Sequence, residues 1–198
     1  MNISIIGAGA IGSAIARNLS KAGIAATIAN SRGPESLAAL HAELPNIRPV
    51  TIDEAAKADV VFLAVQWSRI PDAVRNLPAW NGRIVVDANN AIEAPSFKAV
   101  DLGGRASSLV LADLLPGARV VKAFNHLGAA LLQSDPQAEG GRRVLFYSGD
   151  DADAKKTVGQ LIDQLGFAGV DLGTLDGGGR LAQFPGGPLP VLNLVKFG

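Results

Sequence analysis

Residues 5–12 read I-I-G-A-G-A-I-G, and the spacing of small and apolar residues in this stretch decides the fold. The run N-I-S-I-I at 2–6 predicts a strand and residues 11–22 a helix, so the glycines fall where strand turns into helix. Gly7 permits the tight turn, Gly9 leaves room for a pyrophosphate beside the backbone, and Gly12 lets the helix pack closely on the strand. Ala8, Ala10 and Ile11 complete the turn, and the helix amino terminus faces the anion. A G-x-G-x-x-G sequence in strand-turn-helix context predicts dinucleotide binding.

Working outward, strands are predicted at 25–29, 59–65, 83–88, 118–124, 143–148 and 168–172, with a short one near 47–51. Helices are predicted at 34–43, 53–57, 69–76, 106–115 and 151–165. Runs such as V-V-F-L-A-V lack polar alternation, as strands buried on both faces do. The expected fold is α/β, a doubly wound, mostly parallel sheet of the Rossmann NAD(P)-binding type, with a small C-terminal lobe. The dinucleotide-binding domain is expected over 1–140, and 141–198 as a C-terminal extension of the sheet with an acceptor-side lobe, the two also readable as one continuous domain. Residues 177–198 break the alternation and read as a loop with a short apolar tail, packed on the sheet or shared with a partner.

Lysine plus arginine equals aspartate plus glutamate at 18 each, which removes the basic footprint of a nucleic-acid binder. There is no cysteine and there are only two histidines, so thiolate chemistry is excluded and no metal site is expected. No segment approaches the roughly 18 uninterrupted apolar residues of a membrane span, and a soluble, cytoplasmic protein is expected.

The second strand runs into T-I-A-N-S-R-G-P-E-S at 27–36. An NAD-binding version carries an acid there for the ribose 2′-hydroxyl, whereas this chain has Asn30, Ser31 and Arg32. Loss of the carboxylate and gain of a hydroxyl and a planar cation predict NADP(H). The second reactant belongs at the carboxyl ends of the later strands, where A-V-Q-W (64–67), A-N-N (88–90) and F-N-H (124–126) converge. Ala64, Val65, Gln66 and Asn89 are expected beside the nicotinamide ribose, and Trp67 beside the nicotinamide or capping the core. Trp67, Asn90, Asn125 and His126 are expected to border the acceptor, with Arg180 and Phe184 closing it from the C-terminal lobe. His126 is the one candidate acid, and no catalytic residue is otherwise assigned. Lys122 and Tyr147 are expected to face the sheet surface or a partner. A site so poor in acids and bases suits hydride transfer to a flavin-type ring, in which the cofactors carry the chemistry.

The combination G-A-G-A-I-G, A-N-S-R-G, A-V-Q-W, V-V-K-A-F-N and a late Gly-Arg-Leu resembles the NADP oxidoreductases dependent on the deazaflavin coenzyme F420. It is also similar to the cytoplasmic reductase domain of the membrane metalloreductases. The resemblance implies NADPH across the switch point, a deazaflavin beside the nicotinamide, and a homodimer. It matches Ser31 and Arg32 to the 2′-phosphate contacts, Ala8 to Ile11 to the pyrophosphate turn, and Val65 to Trp67 to the nicotinamide side. Where the family often has N-S-R-L-V-E this chain reads G-G-G-R-L-A-Q at 177–183, which leaves F420, FMN, FAD or another small molecule open as acceptor. The competing class is a non-catalytic NADPH-binding regulator.

Overall fold

A computed structural model describes residues 1–198. Its first half is a βα series: β1 (Ile3–Ile6), α1 (Ala10–Lys21), β2 (Ala26–Ala29), α2 (Ala38–Glu43), β3 (Ile47–Pro49), α3 (Ile52–Ala55), β4 (Val60–Leu63), α4 (Ile70–Val74) and β5 (Ile84–Asp87). A two-stranded hairpin, β6 (Ile92–Glu93) and β7 (Lys98–Ala99), precedes α5 (Ser107–Asp113) and β8 (Arg119–Ala123). Then follow α6 (Ala129–Leu132), β9 (Gln137–Ala138), β10 (Gly141–Gly149), α7 (Ala152–Gln164), β11 (Ala168–Asp171), α8 (Gly177–Leu181) and β12 (Val195–Lys196).

The sheet order is β11-β10-β8-β5-β4-β1-β2-β3, with β9 and β12 on β10. Strands from β3 to β8 run parallel, β10 turns antiparallel to β8, and β11 runs parallel to β10. The chain winds outward from β1 to β3 and then crosses back to β4, so the order reverses between β1 and β4. Ligands of such sheets bind in the crevice beyond the strand ends at that reversal.

Alternate residues of each central strand feed opposite layers. Ile5, Phe62, Val86 and Val121 enter the larger cluster under α1 and α7, whereas Ile6, Leu63, Val85 and Val120 enter the other with α3, α4 and α5. Phe62 meets Phe124 edge to face, with centroids 5.2 Å apart. In α7, Asp151 caps the amino end by accepting from the Ala154 N–H at 2.7 Å, and Val158, Leu161 and Ile162 form the buried stripe.

The segment expected to be a loop at 177–198 contains α8 and β12. Glycine disfavours helix, and here packing outweighs that preference. A Cβ on Gly178 would lie 2.3 Å from the Leu172 carbonyl oxygen, so only glycine lets α8 lie against that backbone. The predicted helix at 34–43 opens as a 3-10 turn at Pro34–Leu37, and the one at 69–76 is preceded by another at Trp67–Arg69.

Gly12 packs still closer, since an added Cβ would stand 1.8 Å from the Gly7 carbonyl oxygen. Gly12→Ala therefore forces α1 off β1 and should lower unfolding free energy by about 1–3 kcal/mol, read from urea denaturation at unchanged m.

His126, at the end of β8, is 2% exposed, with its ring tilted on Phe146 at 4.8 Å and neither ring nitrogen hydrogen-bonded. Burial pushes its pKa down to about 4. The unfolded chain takes up this proton near pH 6.5 while the folded one does not until near pH 4, so stability is full above that window and falls as pH drops through it. The loss approaches about 3 kcal/mol at the bottom of the window. Melting of His126→Phe should therefore be less acid-sensitive than wild type between these limits, and parallel pH profiles would refute the assignment.

Candidate functional site

Beyond β1 the chain turns at Gly7 with φ 110°, a left-handed conformation suited to glycine. The Gly7 N–H donates to the Ala29 carbonyl at 2.8 Å, and a Cβ at this position would lie 2.1 Å from the Ala64 oxygen. The turn is thus wedged between the ends of β2 and β4. At Gly9 the opposite holds, because a Cβ would meet nothing within 4 Å. That open space borders a cavity of about 830 Å³ at the switch point, into which the start of α1 points its free N–H groups.

The cavity is lined by Gly7, Ala8 and Gly9, by Asn30, Ser31 and Arg32, and by Ala64, Val65 and Gln66, three groups brought together from three strand ends. Its far wall is Arg69, Ala73, Asn76 and Leu77, with Ile52 and Asp53 below. Asn30 builds a turn: its Oδ1 accepts from the Arg32 N–H at 2.8 Å and its Nδ2 donates to Ser36 Oγ at 2.9 Å. The residue standing in for the usual acid therefore shapes the loop that carries Arg32. Arg32 is exposed and forms no ion pair, and Arg69 is also unpaired, whereas Asp72 is held by Arg75 at 2.6 Å. Two free guanidinium groups thus line the same cavity as the backbone donors, together with the Asp53 carboxylate. Arg69 was not marked by sequence reasoning, since an arginine after a tryptophan carries no recognisable signal.

Behind Val65 lies a buried polar network. Asn89, 4% exposed, accepts the Val65 N–H on Oδ1 at 2.9 Å and donates from Nδ2 to the Leu63 carbonyl and to Asp87 Oδ1. Asn89 thus holds the end of β4 from behind, with its amide fully occupied. Lys122 does not face a sheet surface: it is 1% exposed and reaches Asn89 O at 3.1 Å, Ser107 Oγ at 3.2 Å and Asp87 Oδ2 at 3.4 Å. A lysine tolerates such burial because three acceptors surround its ammonium, one of them anionic. Tyr147 is covered too, its hydroxyl against Gly159 of α7.

The residues expected to border the acceptor divide. Asn125 Nδ2 donates to Asn90 Oδ1 at 2.9 Å and to the Ala182 carbonyl at 2.7 Å, while Asn90 Nδ2 donates to the Asn125 carbonyl at 2.8 Å. The Phe184 N–H also reaches Asn90 Oδ1, at 3.2 Å. Asn90 and Asn125 are thereby staples that fasten segment 182–184 to the strand ends, leaving Asn125 Oδ1 unpaired. Trp67 is half-buried against the second core cluster and does not line the cavity. Arg180 is exposed and paired with Asp176 at 2.8 Å. His126 is sealed within the core, which removes it from proton transfer with a ligand in the cavity. No three His, Asp or Glu side chains converge as a metal cluster would require.

Comparison with known proteins agrees with this geometry. The family described as "NADP oxidoreductase coenzyme F420-dependent" matches residues 2–91. The metalloreductase STEAP3 of Rattus norvegicus is 30% identical over 185 residues, covering 92% of this chain and 36% of its own length, so the chain spans about a third of this relative. A hypothetical protein of Sinorhizobium meliloti, SMa0349, has a crystal structure that superposes with TM-score 0.95 at 52% identity, covering 99% of this chain and 96% of that one. The structure of a protein from Arthrobacter sp. FB24, named for a proposed F420-dependent NADP-reductase activity, has TM-score 0.75 at 28% identity, covering 88% and 86%. The glycine turn, the Asn30-Ser31-Arg32 loop and the fold agree with the family match, which takes in the first half of the sheet from β1 to β5.

Proposed function

We propose that the cavity at the switch point binds NADP(H) and that the protein transfers hydride between its nicotinamide and a flavin or deazaflavin acceptor, F420, FMN or FAD. The observation that carries this reading is Arg32, an unpaired guanidinium on a preformed turn, in the same cavity as the glycine-lined start of α1. The residues fit the group: backbone N–H groups and open space at Gly9 receive the pyrophosphate, Ser31 and Arg32 the 2′-phosphate, and Ala64 to Gln66 the nicotinamide ribose. Bound nicotinamide supplies the hydride. The chain orients the dinucleotide and lines the cavity with no histidine, which suits a ring-to-ring transfer in which the accompanying proton comes from solvent.

The name of the Arthrobacter protein supports F420 as acceptor, and that of the metalloreductase supports delivery of electrons to a metal ion. The chain works in the cytoplasm as a homodimer in this reading, with the exposed apolar side chains Val191 and Phe197 beside β12 suited to self-association.

Arg32→Ala should weaken NADPH about 10- to 150-fold, the value of one hydrogen bond to a charged group, and leave NADH nearly unchanged by calorimetry. Equal binding of both coenzymes by wild type and variant would defeat the cofactor assignment. NADPH absorbance followed with F420, FMN and FAD in turn tests the acceptor, and tight NADPH binding without turnover on any of them would point instead to a regulator.

A further inference from the structure

Asp87 on β5 and Lys122 on β8 face each other in register across the parallel ladder, 0% and 1% exposed. A buried ion pair is a poor source of stability, because desolvation offsets much of its attraction and an apolar pair often serves as well. Their neighbours on the same sheet face, Val85 and Val120, are apolar. The pair therefore calls for a reason other than cohesion.

Its bonding supplies one. Asp87 accepts the backbone and side-chain N–H groups of Asn89 on Oδ1, each at 3.0 Å, and Ser108 Oγ and Lys122 Nζ on Oδ2. Every acceptor site of the carboxylate is used, and Lys122 provides its counter-charge while tying Asn89 O to Ser107 on α5. The β4–β5 ladder ends with the Ala88 N–H on the Leu63 carbonyl, so the next donor on β4, Val65 N–H, has no strand to pair with. It pairs with Asn89 Oδ1 instead. The same stretch presses on the glycine turn, where the Ala64 oxygen occupies the space of a Gly7 Cβ.

We propose that buried Asp87, its charge balanced by Lys122, positions the nicotinamide half of the dinucleotide, acting through Asn89 on the backbone at Val65. This rests on the reading of the cavity as an NADP(H) site. Asp87 and Asn89 are positioning residues and Lys122 is the counter-charge, none of them lining the cavity. The adenine half, held by Arg32 and the loop after β2, lies outside the network's reach.

Two double variants separate this role from simple cohesion. D87L/K122M removes both charges and the acceptor that holds Asn89, whereas D87N/K122M removes the same charges but keeps an oxygen for Asn89. NADPH should bind about 3- to 10-fold more weakly to D87L/K122M than to wild type, the equivalent of one neutral hydrogen bond, and D87N/K122M should restore it. Adenosine 2′,5′-bisphosphate, which lacks the nicotinamide half, should bind all three alike. In the ligand-free protein the Val65 amide should exchange with solvent faster in D87L/K122M and as in wild type in D87N/K122M. Should either double variant fail to fold, Asn89→Ala should reproduce the same split between the two ligands. Wild-type NADPH affinity in D87L/K122M and in Asn89→Ala overturns the proposal, as does an equal loss of both ligands, which would mark the pair as holding the whole fold. A wild-type protein that binds no NADPH defeats the cofactor reading itself, while the Val65 exchange rates still report whether the network holds that backbone.

Discussion

Backbone meets backbone at the switch point more closely than any side chain would allow. The Gly7 carbonyl lies where a Gly12 Cβ would stand, and the Ala64 carbonyl where a Gly7 Cβ would stand. These two exclusions draw β1, β4 and α1 to one point, and the crevice beyond them follows. Because α1 begins at the contact, its unsatisfied N–H groups open onto the crevice and not onto a side-chain shell. The strand reversal between β1 and β4 supplies the gap, and the absence of Cβ atoms supplies its depth.

Charge is distributed around that crevice by selective pairing. Arg17, Arg48, Arg75, Arg105, Arg119, Arg142 and Arg180 each have a carboxylate partner at the surface, whereas Arg32 and Arg69 on the crevice walls have none. Surface pairs of this kind contribute little to stability. Arg83 donates to backbone carbonyls and Arg143 to Asn193, so the two guanidinium groups left without any partner, those of Arg32 and Arg69, both stand where an anion would be received.

Much of this was readable from the chain because the signals are local. Runs rich in β-branched apolar residues marked β1, β4, β5 and β8, the glycine spacing marked the turn, and the Asn30-Ser31-Arg32 substitution marked the wall that carries a free cation. What escaped depends on register. Lys122 in V-V-K-A-F looked like a surface lysine, because the carboxylate that permits its burial lies 35 residues away and meets it only through the β5–β8 alignment. Asn90 and Asn125 looked like ligand contacts because they end strands at the crevice, and their real partners, Ala182 and Phe184, belong to a segment whose glycines read as loop. α8 was missed for the same cause: its glycines read as loop, and the need for one of them, Gly178, arises only where Leu172 lies against it.

The turn made by the Asn30 carboxamide has one more effect. Ser36 and the Arg32 amide are tethered to it by contacts within the chain itself, so part of the loop's freedom is given up during folding and not upon docking. A loop braced in this manner lowers the ordering cost of capture, so charge steering weighs more in the rate at which a dinucleotide is taken up.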